Sequence, residues 1–273
     1  SVARIEREVE RNLNHIAARF SFRVVSWFAW ICQFIWNRIF SGVDIRDVDI
    51  ERLRNAMRDG TAILVPCHRS HLDYLLISSQ CYRLGLVLPY IVAGENLSFF
   101  PMGYLFRRSG AFFIKRSFNK ERLFPRVFAR YVRLLVREEF PIEFFIEGGR
   151  SRTGKLLPPK VGMLSMVMDA AADLRPDRKV TVLPIAISYE QIAEEKSYAR
   201  ELSGKKKKKE SFSQLLRATS VLKKRFGKVY MRIGEPLLLN ETLENLPTHW
   251  SELPSDQQKE LLFELGERVI YRI

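Results

Sequence analysis

The chain has 273 residues, of which 47% are hydrophobic and 28% charged. That balance excludes a disordered chain and leaves room for one large α/β domain with appended helices, or two small domains. The net charge of +14 calls for an anionic partner: a phosphate-bearing small molecule, nucleic acid or an anionic lipid surface.

Residues 1–19 read as a charged helix. Residues 20–40 carry Phe20, Phe22, Trp27, Phe28, Trp30, Phe34, Trp36 and Phe40, and three of the four Trp of the chain. The longest charge-free run there, 24–37, has 14 residues, short of the ~20 that a spanning helix needs. Arg23 and Arg38 flank it, and Trp favours the membrane–water boundary. The segment is expected to be a helix lying on or dipping into one leaflet. The alternative is a core helix packed on a sheet.

Residues 49–59 read as a short helix closed by Gly60. Strands and helices then alternate. Strands are expected at 62–66, 88–93, 111–114, 142–146, 180–188 and 229–233. Helices are expected at 75–84, 96–107 (despite Pro101 and Gly103), 120–137 and 161–174. This alternation implies βαβ units and a mostly parallel central sheet flanked by helices, an α/β fold. Lys205–Lys209 form a charge run, either a solvated loop or a contact for anionic head groups. Ser255 with Gln258 is expected to cap a last helix, 256–272, whose Leu261, Leu262, Leu265 and Val269 form an apolar stripe. The division expected is an N-terminal helical, membrane-associating segment (1–59), an α/β catalytic domain (60–240) and a C-terminal helical extension (241–273). No signal peptide is visible. The start at Ser1 and the stop straight after a helical pattern suit a piece of something longer.

The chemistry begins at the stretch Pro66-Cys-His-Arg-Ser-His-Leu-Asp-Tyr74. Ser70 and Asp73 have the spacing of a capping box. His68 therefore falls where a strand hands over to a helix, the place where open α/β sheets put their ligands. An imidazole can take a proton near neutral pH, and a carboxylate in the next turn can fix its tautomer. Such a pair lacks only a nucleophile. No Gly-x-Ser-x-Gly elbow is present, so the hydroxyl can belong to the substrate. The plainer alternative makes Asp73 a cap and His68 a loop residue. His68, His71 and Asp73 are too tightly spaced for a zinc set, and no metal or other cofactor is expected. Cys67, beside His68 in extended backbone, points the other way as a core thiol. Cys32, Cys67 and Cys81 have neither metal nor disulfide spacing, which fits a reducing compartment.

Two basic strand ends follow. Lys115 and Arg116 end one strand, and Gly148, Gly149, Arg150, Ser151 and Arg152 end the next. Two strand ends of one sheet can face one crevice. Glycines let backbone approach a ligand closely, and guanidinium forks match phosphate oxygens. The spacing of a Walker loop is absent. A phosphate pocket and a solvated basic turn both fit these residues. Glu147 would be a buried carboxylate that orients the arginines or a substrate hydroxyl.

Taken in order, His68-x4-Asp73, Gly110-Ala-Phe-Phe-Ile-Lys-Arg116, Phe145-Ile-Glu-Gly-Gly-Arg-Ser-Arg152 and Val182-Leu-Pro-Ile-Ala-Ile-Ser188 resemble the four blocks of the glycerolipid acyltransferases. The likeness is strongest to the bacterial membrane-bound glycerol-3-phosphate acyltransferases. It runs from Gly60 to Pro236 and includes Tyr198-Ala-Arg-Glu-Leu202. In the dihydroxyacetone-phosphate and mitochondrial relatives the third block usually reads Glu-Gly-Thr, where this chain has Glu147-Gly148-Gly149.

The resemblance implies that His68 is the general base towards the 1-hydroxyl of glycerol 3-phosphate, oriented by Asp73. It implies that Arg116, Glu147, Gly148 and Ser151 hold glycerol 3-phosphate, helped by Lys115, Gly149, Arg150 and Arg152, and that Pro184 shapes the acyl-donor side. The donor would be acyl-CoA or acyl carrier protein, and the product lysophosphatidic acid. An anionic membrane surface is the expected partner, at the cytoplasmic face of the inner membrane. A nucleic-acid-binding module is the rival reading of the basic charge. Against it, the aromatics cluster in one apolar helix and do not interleave with basic residues.

Overall fold

The computed structural model describes residues 2–115, 121–175, 177–192 and 224–273. Its centre is β2 (Gly60–Pro66), buried at every residue, as expected of an apolar run in the middle of a parallel sheet. Around it lie β1 (Gly42–Ile45), β3 (Tyr90–Gly94), β4 (Ala111–Ile114), β5 (Ile142–Glu143), β6 (Lys179–Tyr189), β7 (Lys228–Ile233) and β8 (Leu237–Leu238). The sheet order is β1-β7-β6-β2-β5-β3-β4, with β8 beside β6. Strands β6, β2, β5, β3 and β4 run parallel, while β7 and β8 oppose β6.

Alternating side chains put two cores on the two faces. Ile63, Val65, Ile142, Phe144 and Val182 meet α6 (Leu123–Arg137), α7 (Gly162–Ala172), α9 (Ser255–Arg272) and Ile16 of α1 (Val2–Ile16). Leu64, Ala93, Phe113, Ile185 and Met231 meet α2 (Phe22–Ile39), α3 (Asp47–Asp59), α4 (Asp73–Arg83) and α5 (Met102–Arg108). The result is three layers, α/β/α. Helix α6 shows why these segments are helical: Phe124, Val127, Phe128, Tyr131, Val132, Leu135 and Val136 recur at helical spacing and are buried. Gly60 is required where β2 starts. Its φ is +156°, and a Cβ there would lie 2.3 Å from the Lys179 carbonyl oxygen.

Several boundaries differ from the sequence reading. The helix expected over 96–107 splits into a single turn, Glu95–Leu97, and α5, because the helix cannot run through Pro101. Strand β5 stops at Glu143, since the chain then turns to bring Phe145 and Glu147 to the mouth of β2. Ser255 is the first residue of α9 and makes no capping bond. The Gln258 N–H bonds the Pro254 carbonyl, and its side chain the Trp250 carbonyl. Strands β1 and β8 and the short α8 (Leu239–Glu244) carry no clear sequence signal. The flanking segments are built into the same body: β1 extends the sheet, and α1 and α9 pack into its core.

Helix α2 has two faces. Val25, Cys32, Trp36 and Ile39 are buried against the sheet layer. Trp27, Trp30 and Phe34 stand outward, 57%, 69% and 61% exposed. The buried face is that of the core-helix alternative, and the outward aromatics form a second, exposed face. Among the described residues no helix is long and apolar enough to cross a membrane.

Candidate active site

His68 lies in the turn between the end of β2 and the start of α4, and is 3% exposed. Its Nδ1 is 3.0 Å from Asp73 Oδ2. The same oxygen accepts the backbone N–H of Arg69 at 2.6 Å and of Ser70 at 2.8 Å, while Asp73 Oδ1 accepts the Tyr189 hydroxyl at 2.5 Å. The capping box is thus half realised. Asp73 reaches back to the Ser70 amide, but Ser70 Oγ accepts from Leu72. A carboxylate can only accept, so Nδ1 carries a proton, and in the neutral ring Nε2 presents its lone pair. The Tyr74 hydroxyl, 3.0 Å from Nε2, therefore donates to it. Phe145 stacks on the imidazole at 4.0 Å between centroids, and Tyr74 meets it edge-on at 4.9 Å.

Cys67 is the core thiol its position suggests. Its sulfur exchanges hydrogen bonds with the Ile187 N–H and C=O, and burial pushes the thiol up to about 11. His71 is buried too. Burial, then Arg150, then His68 hold it down to about 3, so it is neutral at physiological pH.

The loop after β5 closes on His68 from both sides. Glu147, 1% exposed, accepts the His68 N–H on Oε1 at 2.8 Å and the Leu157 N–H on Oε2 at 2.9 Å. The Ser151 N–H donates to the His68 carbonyl at 2.8 Å, and the Ser151 hydroxyl donates to the Lys155 carbonyl. The bonds these two residues make here therefore fix the His68 peptide and the loop's own path. Gly148 turns the loop at φ +60°, where a Cβ would sit 2.5 Å from Cδ of Lys160; around Gly149 the space is open. Arg150 and Arg152 are half-buried on this loop.

Not every expected residue is brought together. Lys115 ends β4, and β3 separates it from β5. Its ammonium is bonded to both oxygens of Glu121, at 2.6 and 2.7 Å, and lies over the Phe124 ring. Pro184 is buried in β6, opposite Val65 of β2 and against Gly234, where the partner of β6 changes from β8 to β7. Arg116, residues 198–202 and the Lys205–Lys209 run lie outside the described residues. Among the described residues no three His, Cys, Asp or Glu converge as metal ligands.

The sequence reading missed Tyr74, Phe145 and Tyr189, whose roles follow only from contacts. It also missed Glu143. This carboxyl is fully buried on β5, and neither oxygen has a hydrogen-bond partner among the described residues. Burial, then the nearby Asp73 charge, push it well above the usual carboxylate range. A lone acid inside the apolar run 142–146 was the available signal. Beside the site, an apolar cleft runs between α2, α4, α5 and β3. Phe28, Cys32, Leu75, Ala93 and Phe106 line it, and Tyr74 stands at its border with His68.

A buried His–Asp pair at a strand end, with Tyr74 standing between its Nε2 and an apolar cleft, is an arrangement suited to general-base chemistry on a substrate that carries an apolar group. The profile of the Acyltransferase family matches residues 47–188, just over half of the chain, and the chain belongs to that family. A second profile, the glycerol-3-phosphate acyltransferase C-terminal region, matches residues 198–273. Relatives named glycerol-3-phosphate acyltransferase come from Pseudoalteromonas translucida (41% identity, 95% of this chain and 32% of that protein), Shewanella putrefaciens (44%, 90% and 30%) and Pasteurella multocida (42%, 90% and 29%). The chain thus spans about a third of the length of these relatives. Among solved structures, the 1-acyl-sn-glycerophosphate acyltransferase PlsC of Thermotoga maritima shares the fold, with TM-score 0.50 and 19% identity over 90% of this chain and 76% of that one.

Proposed function

We propose that this chain carries the catalytic portion of a glycerol-3-phosphate acyltransferase. It moves a fatty acyl group from acyl-CoA or acyl carrier protein to the 1-hydroxyl of glycerol 3-phosphate, giving lysophosphatidic acid. The observation that carries the reading is the buried His68–Asp73 pair, with Nε2 directed to the border of the apolar cleft. His68 takes the proton of the acceptor hydroxyl as the oxygen attacks the thioester carbonyl. Asp73 holds the tautomer and balances the imidazolium that forms. The carbon–sulfur bond breaks, and the proton passes to the leaving thiol. The acyl chain lies in the cleft.

Arg150 and Arg152, with Gly148 and Gly149, receive the phosphate; Arg116 is assigned to the same substrate, and Lys115 would join only by leaving Glu121. Glu147 and Ser151 serve the acceptor site through the His68 peptide they hold. Pro184 acts on the donor side through the path of β6. The relatives named glycerol-3-phosphate acyltransferase support this substrate over dihydroxyacetone phosphate or a lysophospholipid. The outward aromatics of α2 and the net charge of +14 support attachment to an anionic membrane, and the place proposed for it is the cytoplasmic face of the inner membrane.

The test is product analysis. The protein is mixed with labelled glycerol 3-phosphate and palmitoyl-CoA, and the products are separated by chromatography. Labelled lysophosphatidic acid is expected, and His68→Ala should lose at least 10²-fold, the lower end of what a general base supplies. Ester formed only on dihydroxyacetone phosphate or on a lysophospholipid would move the assignment within the family. Retention of more than a tenth of the rate in a folded His68→Ala would remove His68 from the role.

A further inference from the structure

We propose that the Tyr74 hydroxyl caps His68 Nε2 against water, and that only an anchored acceptor alcohol displaces it, so that the acyl donor is transferred and not hydrolysed. The proposal rests on the reading of His68 as the base. Nε2 is the ring nitrogen left over from the Asp73 bond, and Tyr74 Oη stands 3.0 Å from it. That is the distance at which the proton of a reacting alcohol must be presented. Tyr74 thus occupies the place of the acceptor hydroxyl.

The cap is firmly built. Tyr74 sits in the first turn of α4, next to Asp73. Its ring meets both the imidazole and Phe145 edge-on, at 4.9 Å each, while Phe145 covers the imidazole face. With this lid in place His68 is 3% exposed. The same tyrosine lines the apolar cleft, so its ring answers to whatever lies there.

A transferase whose base can serve an alcohol can also serve water. In that side reaction water gives a proton to Nε2 and its oxygen bonds to the thioester carbonyl carbon. The carbon–sulfur bond breaks, and the imidazolium returns the proton to the sulfur. The products are a free fatty acid and a free thiol, and the activated acyl group is lost. Water exclusion is one of the purposes of closed active sites. An alcohol held by its phosphate has a high effective concentration at Nε2, and can replace one hydrogen bond where a passing water cannot.

The experiment uses Tyr74→Phe in the full chain, which keeps the ring in the cleft and removes only the hydroxyl. Two quantities are read: the ratio of fatty acid to lysophosphatidic acid formed from palmitoyl-CoA, and the rate of His68 carbethoxylation by diethyl pyrocarbonate, resolved by mass spectrometry. Each should rise about tenfold, the equivalent of one hydrogen bond of ~1.4 kcal/mol. An unchanged ratio with unchanged carbethoxylation overturns the cap. So does a loss of transfer as deep as that of His68→Ala at an unchanged ratio, which would make Tyr74 a proton relay. If the wild type forms no ester and carbethoxylation still accelerates in Tyr74→Phe, the cap stands and the acyltransferase reading falls.

Discussion

Replacing Asp73 by Asn tests how much of the site depends on a buried charge and how much on shape. Asp73 is fully buried and accepts four hydrogen bonds, three on Oδ2 and one on Oδ1. Asparagine can keep its carbonyl on the Oδ2 side, facing the His68 ring and the amides of Arg69 and Ser70. Its NH2 then faces Tyr189, whose hydroxyl can accept as well as donate. The fold and the His68 tautomer survive. What is lost is the negative charge 3.0 Å from the ring that must become an imidazolium. Coulomb's law at that distance, with an effective dielectric constant of about 20, gives ~5.5 kcal/mol. The amide dipole retains part of this, leaving ~3–4 kcal/mol, or roughly 10²–10³ in rate. Initial rates of lysophosphatidic acid formation measure the effect, with thermal melting alongside. Asp73→Ala should instead lower the melting temperature, because it leaves buried donors unsatisfied at ~1–3 kcal/mol each. If Asp73→Asn kept more than a tenth of the rate with an unaltered melt, the charge would have no part in catalysis and the His–Asp argument would fail.

Glu143→Gln should show a pH-dependent gain in stability. The folded carboxyl is raised above its unfolded value, so as pH rises above ~4.3 the unfolded state ionises first and folding is penalised. The melting temperature of the glutamine variant should therefore gain on the wild type between pH 5 and pH 8 and match it near pH 4, as circular dichroism melts would show; a gap that stays constant with pH refutes the assignment. Trp30→Gln with Phe34→Gln should weaken binding to anionic vesicles by about 10–100-fold in flotation, from ~1.5–3 kcal/mol of lost apolar burial, and leave the melt unchanged because both side chains face outward. Undiminished flotation would refute the membrane role of α2. Point changes serve here because deleting residues 1–42 would also strip Val25, Cys32, Trp36 and Ile39 from the core.

The sequence by itself determined the α/β class, the positions of the main strands and helices and the His68–Asp73 pair. The reason is that these are local: period-2 and period-3.6 apolar patterns report burial, and a five-residue separation across a strand–helix turn stays close in any fold. The four ordered blocks pointed to the acyltransferase family for the same reason, since each is a contiguous run. Tertiary structure decided what depends on neighbours distant in the chain. Strand order put β3 between β4 and β5, so Lys115, next to the end of β4, and the Gly148–Arg152 loop, which follows β5 after a turn, do not leave adjacent strands. Packing of β2 beside β5 turned Glu147 and Ser151 onto the His68 peptide, and β6 carried Tyr189 to Asp73 across 116 residues of sequence. Helix α2 reads as uniformly aromatic in one dimension. Only the docking of its Trp36 side on the sheet layer divides that apolar surface into a face buried in the core and a face left open, because burial is a property of what lies opposite and not of the residue itself.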